Sequence, residues 1–540
     1  MSKRLLEATD LLRMHFLSEP ALSPDGRRLV YVETTMDAEE NSYRAALQML
    51  ETAGAAAARP ESQAPESLAS VQPQPYGQPL PFTNPGNGHG DHQPRFSPRG
   101  RWLAFLSDRS GSQQVWVMSA DGGEAQEVTH YKGISSFSWI TDDELLLQIR
   151  AEEKGIESVQ PETEEEKRTA DSPREKFTGD VRFIGHALYK IDTIGFLGDR
   201  RSHYFRMPRQ GALPASVTAV GDWDDDDAAL SPDRRTLAFT CGRADPDLHP
   251  DIRDLYVQPL AGGETVRLTN GGGTAAAPAW SPDGKSIAFL FTRKLSNGAA
   301  DNTQVWLVPA DGAAPARPLT EAVDRSVVDA SIGDLRGHGA AEHLHWCTDG
   351  SALYALMSDR GSTHLVRVDA VDGSVSPAEE LSGSDEEAVP EAEFGLSWFA
   401  SDVSRDGSTV VLLGTSSVRP NDAWLGLMPG ARCEGALTGV AGVTTRHVRL
   451  TRVTDVNREL LNEVEIAATE HFTFRSGKED PLSDGWLMRP GILARQEAGV
   501  GADAPLPAVL EVHGGPAMMY TGAMMFEFQL LAAAGFAVMW

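Results

Sequence analysis

One short motif recurs along this chain and limits its fold more than any other feature. Ser23-Pro24-Asp25-Gly26 precedes the apolar run Leu29-Val30-Tyr31-Val32, and Ser97-Pro98-Arg99-Gly100 precedes Trp102-Leu103-Ala104-Phe105-Leu106. Ser231-Pro232-Asp233-Arg234 leads to Leu237-Ala238-Phe239, and Ser281-Pro282-Asp283-Gly284 leads to Ile287-Ala288-Phe289-Leu290. Weaker copies stand at Thr141-Asp142-Asp143, Thr348-Asp349-Gly350 and Ser404-Arg405-Asp406-Gly407, each before an apolar run, which makes seven copies. The motif is turn chemistry: Pro presets φ, Asp bonds its own backbone, and Gly takes positive φ. The run after it reads as an inner strand. A third strand follows in several copies (Gln114–Met118, Gln304–Val308), then a turn such as Asp121-Gly122-Gly123 or Asp311-Gly312. A fourth strand ends in Val128-Thr129, Leu268-Thr269 or Leu319-Thr320. A repeated unit of four antiparallel strands predicts a β-propeller of about seven blades over residues 19–450. Ser231 and Ser281 lie 50 residues apart, so the connecting loops are long. An open β-sandwich does not explain the recurrence.

Two insertions interrupt the array. Residues 53–78 are rich in Ala, Pro, Gln and Ser and read as a flexible loop. Residues 151–180 are charged, with Glu162 to Arg168 as a solvated run. Leu5 to Phe16 has helical spacing, and residues 1–18 read as a separate N-terminal segment. The acidic run Asp222-Trp223-Asp224-Asp225-Asp226-Asp227 offers oxygen ligands but lacks a calcium loop's Gly and distal Glu, so an exposed acidic blade edge is expected. His89 and His92 are expected in a solvated loop, and no metal site is expected. Trp102, Trp116, Trp139, Trp280, Trp306 and Trp346 lie on strand patterns and are expected to pack in the core.

Past Thr451 the texture changes. Thr454 to Leu461 reads as a polar connection, Glu470 to Ser476 alternates as a strand, and Asp484 to Pro490 is a second strand. Pro507 to Val512 is a short apolar run expected to be a buried strand, and His513-Gly514-Gly515-Pro516 follows it. Met524 to Ala534 is rich in helix formers and stops at Gly535, and Phe536 to Trp540 starts another strand. Strand, glycine turn, helix, strand is a βαβ unit. Two glycines let the main chain approach a substrate closely, and backbone amides in a dry site stabilise a carbonyl oxygen that is gaining charge.

His513-Gly514-Gly515-Pro516 followed by Phe526-Glu527-Phe528-Gln529-Leu530-Leu531 resembles the start of the catalytic domain in the prolyl oligopeptidase family of serine peptidases (S9), in its acylaminoacyl-peptidase-like branch. The stretch from Asp180 to Phe205 resembles the same branch independently. The resemblance implies an α/β-hydrolase domain starting at 451, of which about 90 residues are present. It implies that the backbone N–H of Gly515 helps form the oxyanion hole, with His513 and Gly514 as substrate-contacting candidates. It also implies that residues 1–18 pack on the hydrolase domain and that the propeller limits substrate size. The family's nucleophile sits in a later Gly-x-Ser-x-Gly-Gly elbow, followed by Asp and His. The 540 residues contain no Gly-x-Ser-x-Gly, so the triad cannot be assigned, and His513 is not its base. The expectation is a sequence cut short before the serine, or completed by a partner chain, and inactive by itself. The competing expectation is a non-catalytic propeller that binds peptides or proteins and carries a vestigial hydrolase stub.

The implied function is hydrolysis of short peptides through an acyl-enzyme, with acylaminoacyl, dipeptidyl and oligopeptide substrates all open and no cofactor required. A homo-oligomer is an open possibility. A net charge of −29 argues against nucleic acid and anionic membrane as partners. No apolar run approaches the length of a membrane span, and Met1 to Asp10 has no apolar signal core. Cys241, Cys347 and Cys433 are isolated, which fits a reducing cytoplasm better than a disulfide framework.

Overall fold

The computed structural model describes residues 3–52, 79–152, 155–159, 184–185, 189–191, 195–196, 198, 200–243, 252–294, 301–336, 343–381, 395–428, 447–477, 482–501, 504–515 and 518–540. The insertion at 53–78, nearly all of that at 151–180, most of the stretch from Asp180 to Arg200, and Cys433 lie outside these residues.

Seven antiparallel sheets succeed one another between Phe16 and Arg452. Six have four strands in sequence order, apart from a two-stranded excursion within the third; the seventh adds Glu379–Leu381, parallel to its outer strand Val448–Arg452. The first strands of the seven are Phe16–Leu22, Asp91–Phe96, Ile134–Thr141, Asp225–Leu230, Gly273–Trp280, His345–Trp346 and Ser397–Val403. The second strand of each is the apolar run after the turn motif.

Strand periodicity explains why those runs are apolar on both faces. In Trp102–Ser107, Leu103 and Phe105 pack with Val30 and Leu47 of the first sheet. Ala104 and Leu106 point the other way, onto Leu145 and Phe205 of the third. The pattern continues through Leu146 and Tyr204 against Phe239, then Ala238 and Leu255 against Ile287 and Phe289. Ala288 and Val305 then meet Leu353 and Val366, and Tyr354 and Leu365 meet Leu412 and Trp424. Finally Val411 and Leu413 return to Leu17 and Tyr31 of the first sheet. The propeller is thus a closed ring whose two ends meet through side chains rather than through a shared strand.

The turn motif performs one local task in four of its copies. The Ser23 hydroxyl donates to Asp25 (2.7 Å) and accepts from the Arg28 amide (2.9 Å). The same pair of bonds recurs at Ser231, Ser281 and Ser404. The turns also touch around the ring. The second residue of one motif faces the fourth of the next, so a Cβ on Gly100 would lie 3.3 Å from Pro24, and one on Gly284 would lie 3.7 Å from Pro232.

The first strands are tied to one another near the axis. Each of four carries a positive-φ residue four places before the turn serine: Glu19, Gln93, Asp227 and Ala277. The Gln93 amide donates to Glu19 (2.7 Å) and the Ala277 amide to Asp227 (3.3 Å). The indole N–H groups of Trp139, Trp280 and Trp346 donate to the carbonyls of Arg95, Ala229 and Ala279 on the preceding sheet. Three of the six tryptophans expected to be plain core packing therefore also bond sheet to sheet.

Several local expectations are corrected. Asp225–Asp227 open the edge strand of the fourth sheet, and Asp222 and Asp227 are exposed as expected, but Asp225 is not. Asp225 is fully buried because His203 (3.0 Å) and Arg243 (3.0 Å), both remote in sequence, hold its charge. His92 lies on the strand Asp91–Phe96, not in a loop. The N-terminal helix is a 3-10 turn, Ala8–Arg13, and a strand of the ring already starts at Phe16. The polar connection after Thr454 contains a helix, Arg458–Glu463.

The eighth sheet has the order Thr469–Phe474, Ser483–Met488, Ala537–Met539, Ala508–Leu510. Its first two strands are antiparallel, and Ala508–Leu510 runs parallel to Ala537–Met539. The helix Phe526–Ala533 connects the parallel pair. Ala508–Leu510 was expected to be buried, but it is the sheet's edge among the described residues, and Leu510 is 66% exposed.

Candidate active site

The glycine loop leaves the edge strand directly. Glu511 N–H donates to Met539 O (2.8 Å), the last strand-like bond before His513. Gly515 has φ +72°, a conformation that costs an L side chain about 1–2 kcal/mol, and its carbonyl accepts from Met518 N–H (3.1 Å). Gly514 and Gly515 are exposed, and among the described residues no hydrogen bond engages either amide. An added Cβ on Gly514 would meet nothing within 4 Å. Two consecutive amides after a parallel strand are therefore without a hydrogen-bond partner among the described residues.

An aromatic series holds the loop. His513 packs edge-on against Tyr520 (5.1 Å), Tyr520 against Phe528 (5.5 Å), and Phe528 against Trp540 (4.8 Å). Trp540 stacks on Trp486 and donates its indole N–H to Thr521 O (2.9 Å). His513 Nδ1 lies 3.1 Å from Gly514 O, so this ring is occupied by its own loop and its neighbour. Burial pushes the Tyr520 hydroxyl up from its ordinary range, and nearby carboxylates push the same way.

The segment after the loop is fastened to the ring by residues that show no local signal in the sequence. Met519 pairs with Ala330 and Ile332 through two backbone bonds of 2.9 Å. Asp334 accepts from Phe526 N–H and Glu527 N–H, both at 3.0 Å, and so caps a helix whose own N-cap position is Met525. Burial raises the Asp334 carboxyl, while those two donors oppose the shift. The loop bearing Asp334 is braced by Arg336, which contacts Asp329 (2.5 Å) and Ser331 (2.6 Å). Met524 N–H donates to Ser416 O (2.8 Å) on the seventh sheet. From below, the N-terminal segment reaches the same helix: Leu6 and Met14 pack with Leu460, Val464 and Phe526, and Arg13 pairs with Glu463 (2.8 Å).

No cluster of three or more His, Cys, Asp or Glu that could hold a metal occurs among the described residues. No helix among them is long and apolar enough to cross a membrane.

A ring of four-stranded sheets followed by parallel strand, glycine loop and helix is a fold shared with solved acylaminoacyl peptidases and prolyl endopeptidases. The particular likenesses are consistent. The acylaminoacyl peptidase of Pyrococcus horikoshii superposes with a TM-score of 0.65 at 17% identity, covering 99% of this chain and 66% of that one. A puromycin-hydrolyzing peptidase of Mycobacterium tuberculosis gives 0.58 at 14% identity, covering 100% and 68%. In sequence, the uncharacterized peptidase YuxL of Bacillus subtilis is 27% identical over 545 residues, covering 100% of this chain and 70% of that protein. No family model matches the chain. The chain spans about two thirds of the length of the relatives it matches.

Proposed function

We propose that this chain is the propeller and the oxyanion-loop portion of a serine peptidase of the prolyl oligopeptidase family that hydrolyses short peptides through an acyl-enzyme. The observation that carries the reading is the glycine loop. Gly515 sits in the left-handed region at the end of a parallel strand, with its amide and that of Gly514 open and unbonded among the described residues. Such amides stabilise a tetrahedral intermediate because they are fixed before the charge develops, and losing one donor typically costs about 3–4 kcal/mol. Gly515 N–H is the proposed donor, with His513 and Gly514 lining the substrate side of the loop. The division at about residue 450 and the packing of residues 1–18 on the hydrolase part belong to the same proposal.

The nucleophile, its Asp and its His would come from sequence that the 540 residues do not contain. They hold no Gly-x-Ser-x-Gly elbow, and residues 1–540 on their own are expected to be inactive. The ring would stand over the site and admit only short peptides. Isolated cysteines favour a cytoplasmic setting. Hydrolysis of acetyl-alanyl, free dipeptidyl and longer chromogenic peptides by the complete gene product tests the reading. Cleavage of the short substrates, with folded proteins spared, is expected. A complete product that carries the elbow yet cleaves none of them contradicts it.

A further inference from the structure

The seventh sheet contains a cavity of about 120 Å³ that the glycine-loop site does not use. Leu396, Gly414 and Trp424 give it an apolar side, and Arg419, Asp422 and Arg452 a polar one. Arg419 Nη1 contacts Asp455 (2.9 Å), and Arg452 Nη1 lies 3.3 Å from Asp422 and 3.4 Å from Asp455. Arg458 Nε adds a third cation on Asp455 (2.8 Å), and Thr454 donates to Asp422 (2.8 Å).

Two features point to a ligand. Each lining arginine uses one terminal nitrogen on these carboxylates, and its Nε and second terminal nitrogen have no protein partner among the described residues. These side chains are 32% and 19% exposed and both line the cavity, so their remaining guanidinium donors are available to an acceptor that enters it. Three guanidinium charges against two carboxylates also leave one positive charge in the cluster. That balance suits a monoanion and disfavours a dianion such as phosphate. Guanidinium donors match the planar carboxylate, and Trp424 and Leu396 offer an apolar wall to whatever the carboxylate carries.

We propose that this cavity binds a small monocarboxylate, with Arg419 and Arg452 on the carboxylate and Trp424 and Leu396 against its apolar substituent. The chemistry is shared by the free carboxyl end of a short peptide and by a simple aliphatic acid. The inference does not depend on the peptidase reading, since it requires binding alone.

Calorimetric titration of the 540-residue chain with N-acetylalanine, N-acetylalanine amide, propionate and inorganic phosphate tests it. N-acetylalanine is expected to bind at least roughly tenfold more tightly than its amide, since the amide gives up a charge-assisted pair. Tighter binding of N-acetylalanine than of propionate identifies a peptide end as the ligand; equal affinity identifies the simple acid. Arg452→Gln is expected to weaken binding by about tenfold or more. Leu396→Trp, which fills the cavity and removes no charge, is expected to do the same with an unchanged melting profile, and it decides the matter should R452Q fold poorly. Equal binding of acid and amide, tighter binding of phosphate, retention of affinity in both variants, or no heat from either carboxylate at millimolar concentration each overturn the proposal.

Discussion

At the scale of single residues, the ring pays for its closely spaced first strands by placing ionisable groups near its axis. Asp402 accepts a hydrogen bond from Leu22 N–H (2.7 Å) across the seam between the seventh and first sheets. Burial raises its carboxyl to about 6, although the Leu22 donor and Arg95 act in the opposite direction. The unfolded chain would titrate this group near the ordinary aspartate value of about 3.9. Between those values the folded state binds more protons than the unfolded state, so this group's contribution to stability falls as pH rises from about 4 to about 6. Asp402 is half-buried, and above that range the cost of a partly desolvated anion is present. Asp402→Asn keeps an acceptor for Leu22 and removes the charge. Thermal or urea unfolding is expected to show a gain of about 1–2 kcal/mol at pH 8 and none at pH 4. Equal effects at both pH values would mean that the carboxyl does not titrate in this window.

At the scale of elements, the turn motif was legible because every atom it uses lies within six residues. The serine hydroxyl, the aspartate and the amide beyond them make one closed local circuit. Ser281→Ala removes a buried hydroxyl from that circuit and is expected to cost about 1 kcal/mol in chemical denaturation. The same substitution at Ser23, which lies in a non-adjacent sheet, is expected to add to it within about 0.5 kcal/mol. The first strands were harder to read. Asp225–Leu230 and Gly273–Trp280 carry few large apolar residues, so they lack the pattern that marks the second strands. Partners such as His203 and Arg243 lie 22 and 18 residues away, beyond any local pattern. The helix after the glycine loop shows the same limit. Its apolar composition announced it, but its cap, Asp334, stands 192 residues upstream. Asp334→Ala is expected to destabilise the helix by about 1 kcal/mol, with Asp334→Asn intermediate, read from protection of the Phe528 to Leu531 amides in hydrogen exchange. Unchanged protection in the alanine variant would remove Asp334 as the cap.

At the scale of the whole molecule, the ring and the glycine loop answer one another. Leu17 and Tyr31 close the ring against Val411 and Leu413, and the helix that follows the loop rests on Asp334, Ser416 and the N-terminal segment. The recurrent motif made the ring readable from sequence, and the His-Gly-Gly-Pro signature made the loop readable. Their attachment was not readable, because Ala330 and Asp334 are ordinary loop residues and Ser416 an ordinary strand end until the chain is folded. The direct test of the proposed chemistry is covalent labelling by a fluorophosphonate probe, with the modified peptide mapped by mass spectrometry. The complete gene product is expected to label at one serine outside residues 1–540, and the 540-residue chain alone to remain unlabelled. A labelled serine within residues 1–540, or a complete product that does not label, would contradict the assignment of the Gly515 loop to a serine peptidase.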